Sequence, residues 1–162
     1  MTPRIDYTKL APKALQAIMG VENYVRQSSL EQSLKSLVKL RVSYMNGCAY
    51  CVDMHSKDAR AEGETEQRVY AVPVWADTPF FSERERAAFE WAEAVTRLGE
   101  HAVPDSLYES TLRHFSEAEL VDLNMAVVAI NIWNRIAIPF RAEVGSYQPP
   151  RSLSGHSASS AA

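Results

Sequence analysis

Cys48, Cys51 and His55 are the residues whose types and spacing suit joint chemistry. They lie three and then four positions apart, and on an α-helix such positions share one stripe. Two Cα atoms one turn apart are roughly 5 Å from each other, within the reach of a disulfide. Asn46-Gly47 reads as a helix stop, so the pair falls at the N-terminus of the next helix. Free N–H groups and the helix dipole favour a thiolate there. His55 stands one turn from Cys51 and two from Cys48, placed to take a proton from Cys51 or return one to a leaving oxygen. A nucleophilic thiolate, a resolving thiol and an acid/base are what two-thiol peroxide reduction requires. The spacing from His55 favours Cys51 as the reactive sulfur. The position of Cys48 nearer the helix terminus argues for the reverse, as in other C-x-x-C helices.

Other uses of the pair fare less well. These are the two cysteines of the chain, and in a reducing compartment such a pair is rarely a structural staple. Two inert buried thiols would leave the shared stripe with His55 and the helix-terminal position unexplained. A zinc site wants a fourth ligand, usually from a second C-x-x-C or Cys/His pair, and the chain supplies none. Covalent haem attachment needs His directly after the second cysteine, where Val52 stands. His101 and His114 fall near expected helix ends, His156 lies in the tail, and Tyr44, Trp91 and Trp133 read as core.

The elements that must hold this motif are helical almost throughout. A first helix is expected over residues 9–25. Ser28-Ser29-Leu30-Glu31 reads as a capping box opening a second, with Leu30, Leu34, Leu37, Arg41 and Tyr44 on one stripe. The motif helix runs from about Cys48 to Glu62-Gly63, and a short helix from Thr65 ends at Pro73. Boxes at Ser82-Glu83-Arg84-Glu85 and Ser116-Glu117-Ala118-Glu119 open helices to about Gly99 and Ile138, with Pro104 in the first turn of a short helix between them. The expected architecture is an all-α, compact helical bundle over residues 1–147. The tail 148–162 is rich in Pro, Ser and Gly and is expected to lack fixed structure, like the chain from Ser146 onward.

Composition narrows the partners. The chain has 162 residues, 46% apolar and 23% charged, and a net charge of -3. That is one ordinary globular domain, and without a basic block nucleic acid and anionic membrane are poor partners. The start Met1-Thr2-Pro3-Arg4-Ile5-Asp6 lacks the apolar core of a secretory signal, so a cytoplasmic location is expected. The apolar run from Met125 to Phe140 is broken by Asn131, Asn134 and Arg135, and reads as a buried central helix. Phe80, Phe81 and Phe89 are expected beside faces that one small bundle leaves uncovered, which points to a homo-oligomer.

The stretch from Leu37 to His55, with Cys48-Ala49-Tyr50-Cys51-Val52-Asp53-Met54-His55 at its end, resembles the core motif of the carboxymuconolactone decarboxylase family. More narrowly it resembles the alkylhydroperoxidase D (AhpD)-like branch, as do Trp91-Ala92-Glu93-Ala94-Val95-Thr96 and Asn131-Ile132-Trp133-Asn134-Arg135. The resemblance implies an all-helical fold, a homo-trimer or homo-hexamer, and reduction of alkyl hydroperoxides without a bound cofactor. An external thiol or dihydrolipoyl partner would be the reductant. Carried over, Cys51 attacks peroxide, Cys48 resolves the sulfenate and His55 moves protons. The family's relay glutamate lies twelve residues before the first cysteine, where this chain has Ser36. If another carboxylate takes its place, the resemblance of its segment favours Glu93, while a solvated Glu93 paired with Arg97 is the plain alternative. Asp53 and Asp58 are expected to project elsewhere on the motif helix. A redox sensor using the same disulfide is the alternative function; a lactone decarboxylase is weaker, since that chemistry needs no C-x-x-C.

Overall fold

Proline and glycine punctuate the first half of the chain, and each break places an element of the site. A computed structural model describes residues 2–99 and 103–150; His101 and His156 lie outside the described residues. Helix α1 (Tyr7–Leu10) stops at Ala11, and α2 (Pro12–Gln27) restarts with proline at its first position. Proline there gives up an N–H that would be unpaired anyway, so one expected helix is two. Next come α3 (Gln32–Asn46), α4 (Ala49–Ala61) and α5 (Glu66–Ala71), a 3-10 segment (Val72–Asp77), then α6 (Glu83–Thr96), α7 (Asp105–Leu112) and α8 (Glu117–Phe140). The described residues contain no strand, and the fold is all-α.

Helix α3 is the axis of the bundle, packed on α4, α6 and α8. Its Leu34, Val38 and Val42 face Ala88, Trp91 and Ala92 of α6 and Leu123, Val127 and Ile130 of α8. Its Leu37 and Leu40 meet Ala59, Val69, Trp75, Phe81 and Phe89 in a second cluster. A helix flanked on both sides must be apolar around most of its circumference. Phe81 and Phe89 are buried and Phe80 packs against them, so these rings fill the core instead of leaving an open face.

The caps at Ser82 and Ser116 form complete boxes with Glu85 and Glu119, and the Thr65 side chain caps α5. The expected box at Ser28 does not form. Ser28 Oγ instead donates to the Val25 carbonyl at 2.8 Å, closing α2. Glu31 turns outward to Arg84, 3.0 Å away. Arg84 also reaches Glu119 and lies over the Phe115 ring, joining the starts of α3, α6 and α8. Helix α3 therefore begins two residues later than the expected stripe, and Leu30 joins the core from the loop. Helix α6 ends at Thr96, short of Gly99, and Pro104 is the N-cap of α7 rather than part of its first turn.

Beyond α8 the chain turns at Gly145, whose φ of +94° suits glycine, and runs back along α4. The Gly145 amide donates to Asp53 at 3.2 Å, and Lys57 Nζ donates to the Tyr147 carbonyl at 3.1 Å. The stretch from Ser146 to Pro150, expected from its composition to lack structure, is thus seated as a strap on the motif helix.

Candidate active site

The cysteine pair is held from three sides. Gly47 takes the left-handed conformation (φ 67°) at the end of α3, and the Cys48 amide donates back to the Ser43 carbonyl at 3.0 Å. This turn is the helix stop that glycine permits at low cost. Asn46 Nδ2 donates to Asn134 Oδ1 at 2.7 Å and Asn131 Oδ1 at 3.0 Å, fixing the turn to α8. Asn131 in turn donates to Thr96 on α6. Asn134 is fully buried, and this amide cluster supplies its partners. Asn131 and Asn134 of the resembling segment thereby acquire a physical role.

Cys48 is the N-cap of α4; its sulfur accepts the Cys51 N–H at 3.3 Å. The two cysteines form a disulfide, with Cα atoms 5.3 Å apart, and both residues are 1% exposed. Cys51 and His55 line one cavity of about 610 Å³. Its apolar wall includes Met19, Met54 and Trp133, and its polar wall includes Glu22, Lys39 and Asp58.

His55 is buried, and its Nδ1 lies 3.6 Å from Asp58 Oδ2, an electrostatic contact slightly longer than a direct hydrogen bond. Its Nε2 has no hydrogen-bond partner among the described residues. Burial holds the imidazole pKa below the ordinary 6.5; Asp58 opposes this, Lys39 adds to it, and Glu22 opposes it more weakly. Nδ1 thus faces the Asp58 carboxylate, and Nε2 is the ring nitrogen without a partner among the described residues. For Asp58, burial raises the pKa, but the His55 contact and the Tyr147 hydrogen bond outweigh it and hold the carboxyl below its ordinary value. Glu22 is likewise pushed up by burial and brought below its ordinary value by Lys39 and Trp133.

Cys48, Cys51 and His55 are thus brought together as the helical spacing required. Glu93 is not brought to them. Its Oε1 accepts from Arg41 Nε at 2.9 Å and Trp75 Nε1 at 2.7 Å, and it is absent from the cavity wall. Glu93 joins α6 to α3 and the 3-10 segment, a different arrangement from either a relay or a pair with Arg97. The carboxylate at the histidine is Asp58, expected to project elsewhere. His55 and Asp58 are three apart on one helix, and that spacing was the available signal. Ser36, at the family's glutamate position, donates to Glu62 Oε2 at 2.5 Å, and both line the same cavity. Glu22, Lys39 and Tyr147 also line it; they come from elements distant in sequence, and no local pattern marks them.

The model of the carboxymuconolactone decarboxylase family matches residues 12–94, from the start of α2 almost through α6. The chain belongs to that family. Its AhpD-like character rests on a solved structure, ATU0492 from Agrobacterium tumefaciens, a protein of unknown function put forward as an antioxidant defence protein AhpD. That structure is 44% identical, with a TM-score of 0.87 over 90% of this chain and 100% of that one. The uncharacterized protein YdfG of Bacillus subtilis (strain 168) is 44% identical over 138 residues, 85% of this chain and 94% of YdfG. The debrominase Bmp8, solved as a cysteine-to-alanine variant in complex with 2,3,4-tribromopyrrole, shares the fold at 19% identity and a TM-score of 0.75, over 86% of this chain and 74% of that one. The family member described here is therefore an AhpD-like helical bundle whose motif helix carries a cysteine pair.

Proposed function

We propose that this family member is a thiol-dependent peroxidase that reduces organic hydroperoxides through the Cys48–Cys51 pair. The observation that carries the reading is a buried His55 with a bare Nε2, one turn from Cys51 on the wall of a mostly apolar cavity. In the reduced protein Nε2 takes the Cys51 proton. The thiolate attacks the peroxide oxygen, the O–O bond breaks, and the departing alkoxide receives the proton from His55. Cys51–SH and R–OOH become Cys51–SOH and R–OH. Cys48 then attacks the sulfenic sulfur; water leaves and the disulfide forms. Two equivalents of an external thiol, or one dithiol of the dihydrolipoyl type, restore both thiols and leave oxidised. No bound cofactor enters these steps, and the setting they require is a reducing one such as the cytoplasm.

A cavity of about 610 Å³ far exceeds what hydrogen peroxide needs, one water occupying about 30 Å³ of the liquid. Its apolar wall suits the carbon portion of an organic hydroperoxide. The deciding experiment is steady-state turnover of tert-butyl, cumene and hydrogen peroxides with a panel of monothiols and dithiols, wild type against Cys51→Ser. Catalytic consumption of reductant above the free-thiol rate, lost in Cys51→Ser, is the expected result. A single stoichiometric oxidation without turnover would replace the enzyme with a redox switch.

A further inference from the structure

Asp58 has two carboxylate oxygens, and each faces a different group. Oδ2 faces His55 Nδ1, and Oδ1 accepts from Tyr147 Oη at 2.5 Å. Tyr147 belongs to the C-terminal strap, which reaches this place through two contacts with α4 that lie outside the cavity. These are the Gly145 amide on Asp53 and the Lys57 ammonium on the Tyr147 carbonyl, with Lys57 also 2.9 Å from Asp53. The strap continues along the cavity, where Tyr147 and Pro150 form part of the wall together with side chains of α2 and α4. A phenol needs no such seat merely to pack.

We infer that Tyr147 is a positioning residue of the thiol site, fixing one oxygen of Asp58 so that the other stays on His55 Nδ1 and Nε2 stays bare for Cys51. The inference rests on the peroxidase reading for its purpose, but its geometry concerns the histidine alone. An unanchored carboxylate at the rim of a cavity can rotate toward water or toward Lys39. One held at Oδ1 keeps Oδ2 on the ring and favours the Nδ1–H form, as second partners of functional histidines do elsewhere. Tyr147 suits the task because it remains a donor: burial and the Asp58 contact both push its phenol pKa upward. The other charged groups around His55 come from two helices, Lys39 from α3 and Glu22 from α2. Glu22 is held by Lys39, and the Lys39 ammonium is a donor only, so neither replaces Asp58 at Nδ1.

The test uses the full-length, reduced protein and reads the Cys51 thiolate through the pH dependence of its alkylation by iodoacetamide, resolved from Cys48 by peptide mass spectrometry. With Asp58 loosened, the imidazolium that accompanies the thiolate is less well held. Tyr147→Phe is therefore expected to move the Cys51 midpoint upward by about half a pH unit, about threefold in thiolate fraction at pH 7. In the Asp58→Asn background the same change should add nothing, the non-additivity expected of groups acting through one partner. An unshifted midpoint in Tyr147→Phe, or equal shifts in both backgrounds, would overturn the inference. Nitrogen NMR of His55 in the wild-type protein gives a check that needs no variant: the neutral ring should carry its proton on Nδ1, and a ring protonated on Nε2 would also overturn it. Failure of the wild type to turn over any hydroperoxide would remove the peroxidase reading and leave the midpoint and tautomer results to decide the role of Tyr147.

Discussion

Cys51 and Cys48 differ less in exposure than in surroundings. Both are buried, but Cys48 spends its sulfur on the first turn of α4, while Cys51 lines the cavity beside His55. On the proposed peroxidase reading, that difference favours Cys51 as the attacking thiol. In Cys48→Ser one equivalent of peroxide should leave a sulfenic acid on Cys51 that a dimedone probe traps; in Cys51→Ser the Cys48 thiol should stay alkylatable, and a trapped sulfenate on Cys48 would exchange the roles. His55 has a second, measurable consequence. Its pKa is lower in the fold than the 6.5 of an ordinary imidazole, so below that pH the unfolded chain binds a proton that the native one refuses. Stability should therefore fall as pH drops through about 6.5, with the slope ending once native His55 also protonates. The carboxylates Asp58 and Glu22, held below their ordinary 3.8 and 4.5, act in a lower window, their contribution being lost only in stronger acid. Urea titrations of wild type and His55→Gln between pH 5 and 7 should show the upper slope reduced in the variant. A parallel pH dependence in the two proteins would contradict this account.

At the scale of the elements, the site depends on joints made by polar side chains. Glu93 is such a joint, linking α6 to Arg41 of α3 and Trp75. Glu93→Ala should cost about 2 kcal/mol, the middle of the range for hydrogen bonds to charged groups. The rate of Cys51 oxidation in the folded variant should be unchanged, as followed by intrinsic fluorescence and stopped-flow thiol loss. A large loss of rate at full stability would restore a role in proton transfer. The capping signals show why some of the fold was legible and some was not. Ser82 and Ser116 precede helices whose third residue is a glutamate facing back, and local chemistry decides the outcome. Ser28 has the same local pattern, but Arg84 competes for Glu31 from 53 residues away. In the site the division is the same. The stripe of Cys48, Cys51 and His55 follows from helical periodicity, and Asp58 was readable from the same periodicity. Tyr147 and Glu22 arrive by tertiary folding, and Glu93 is drawn off by Arg41, a partner that no local pattern pairs with it.

For the whole molecule, α8 is the most apolar element and also the most divided. It passes through the core with Leu123, Val127 and Ile130 fully buried, yet Val121 and Ile138 stand exposed. With the three phenylalanines accounted for by the core, such positions are where a homo-trimer or homo-hexamer would make contact. Light scattering at micromolar concentration should give a multiple of the 18.1 kDa chain, and a monomer mass would end that expectation. Around the site α3 packs against α4, α6 and α8, and α4 begins at the Cys48 sulfur.

Helix α4 begins at that sulfur without having to unwind. Cys48 sits just outside the first turn, already 5.3 Å from Cys51 by Cα, with its sulfur folded over the Cys51 amide. Helix α4 accommodates the closed disulfide with its first turn intact, so on the proposed peroxidase cycle a Cys51 sulfenate would find its resolving thiol one helical turn away. Enzymes whose resolving thiol must travel leave the sulfenate open to a second peroxide and to irreversible sulfinic acid. This geometry should instead confer resistance to overoxidation. After a large excess of peroxide, dithiothreitol should return nearly all Cys51 as free thiol in the wild type, and much less in Cys48→Ser, by mass spectrometry; substantial sulfinate in the wild type would mean that the waiting thiol is slower than its position requires.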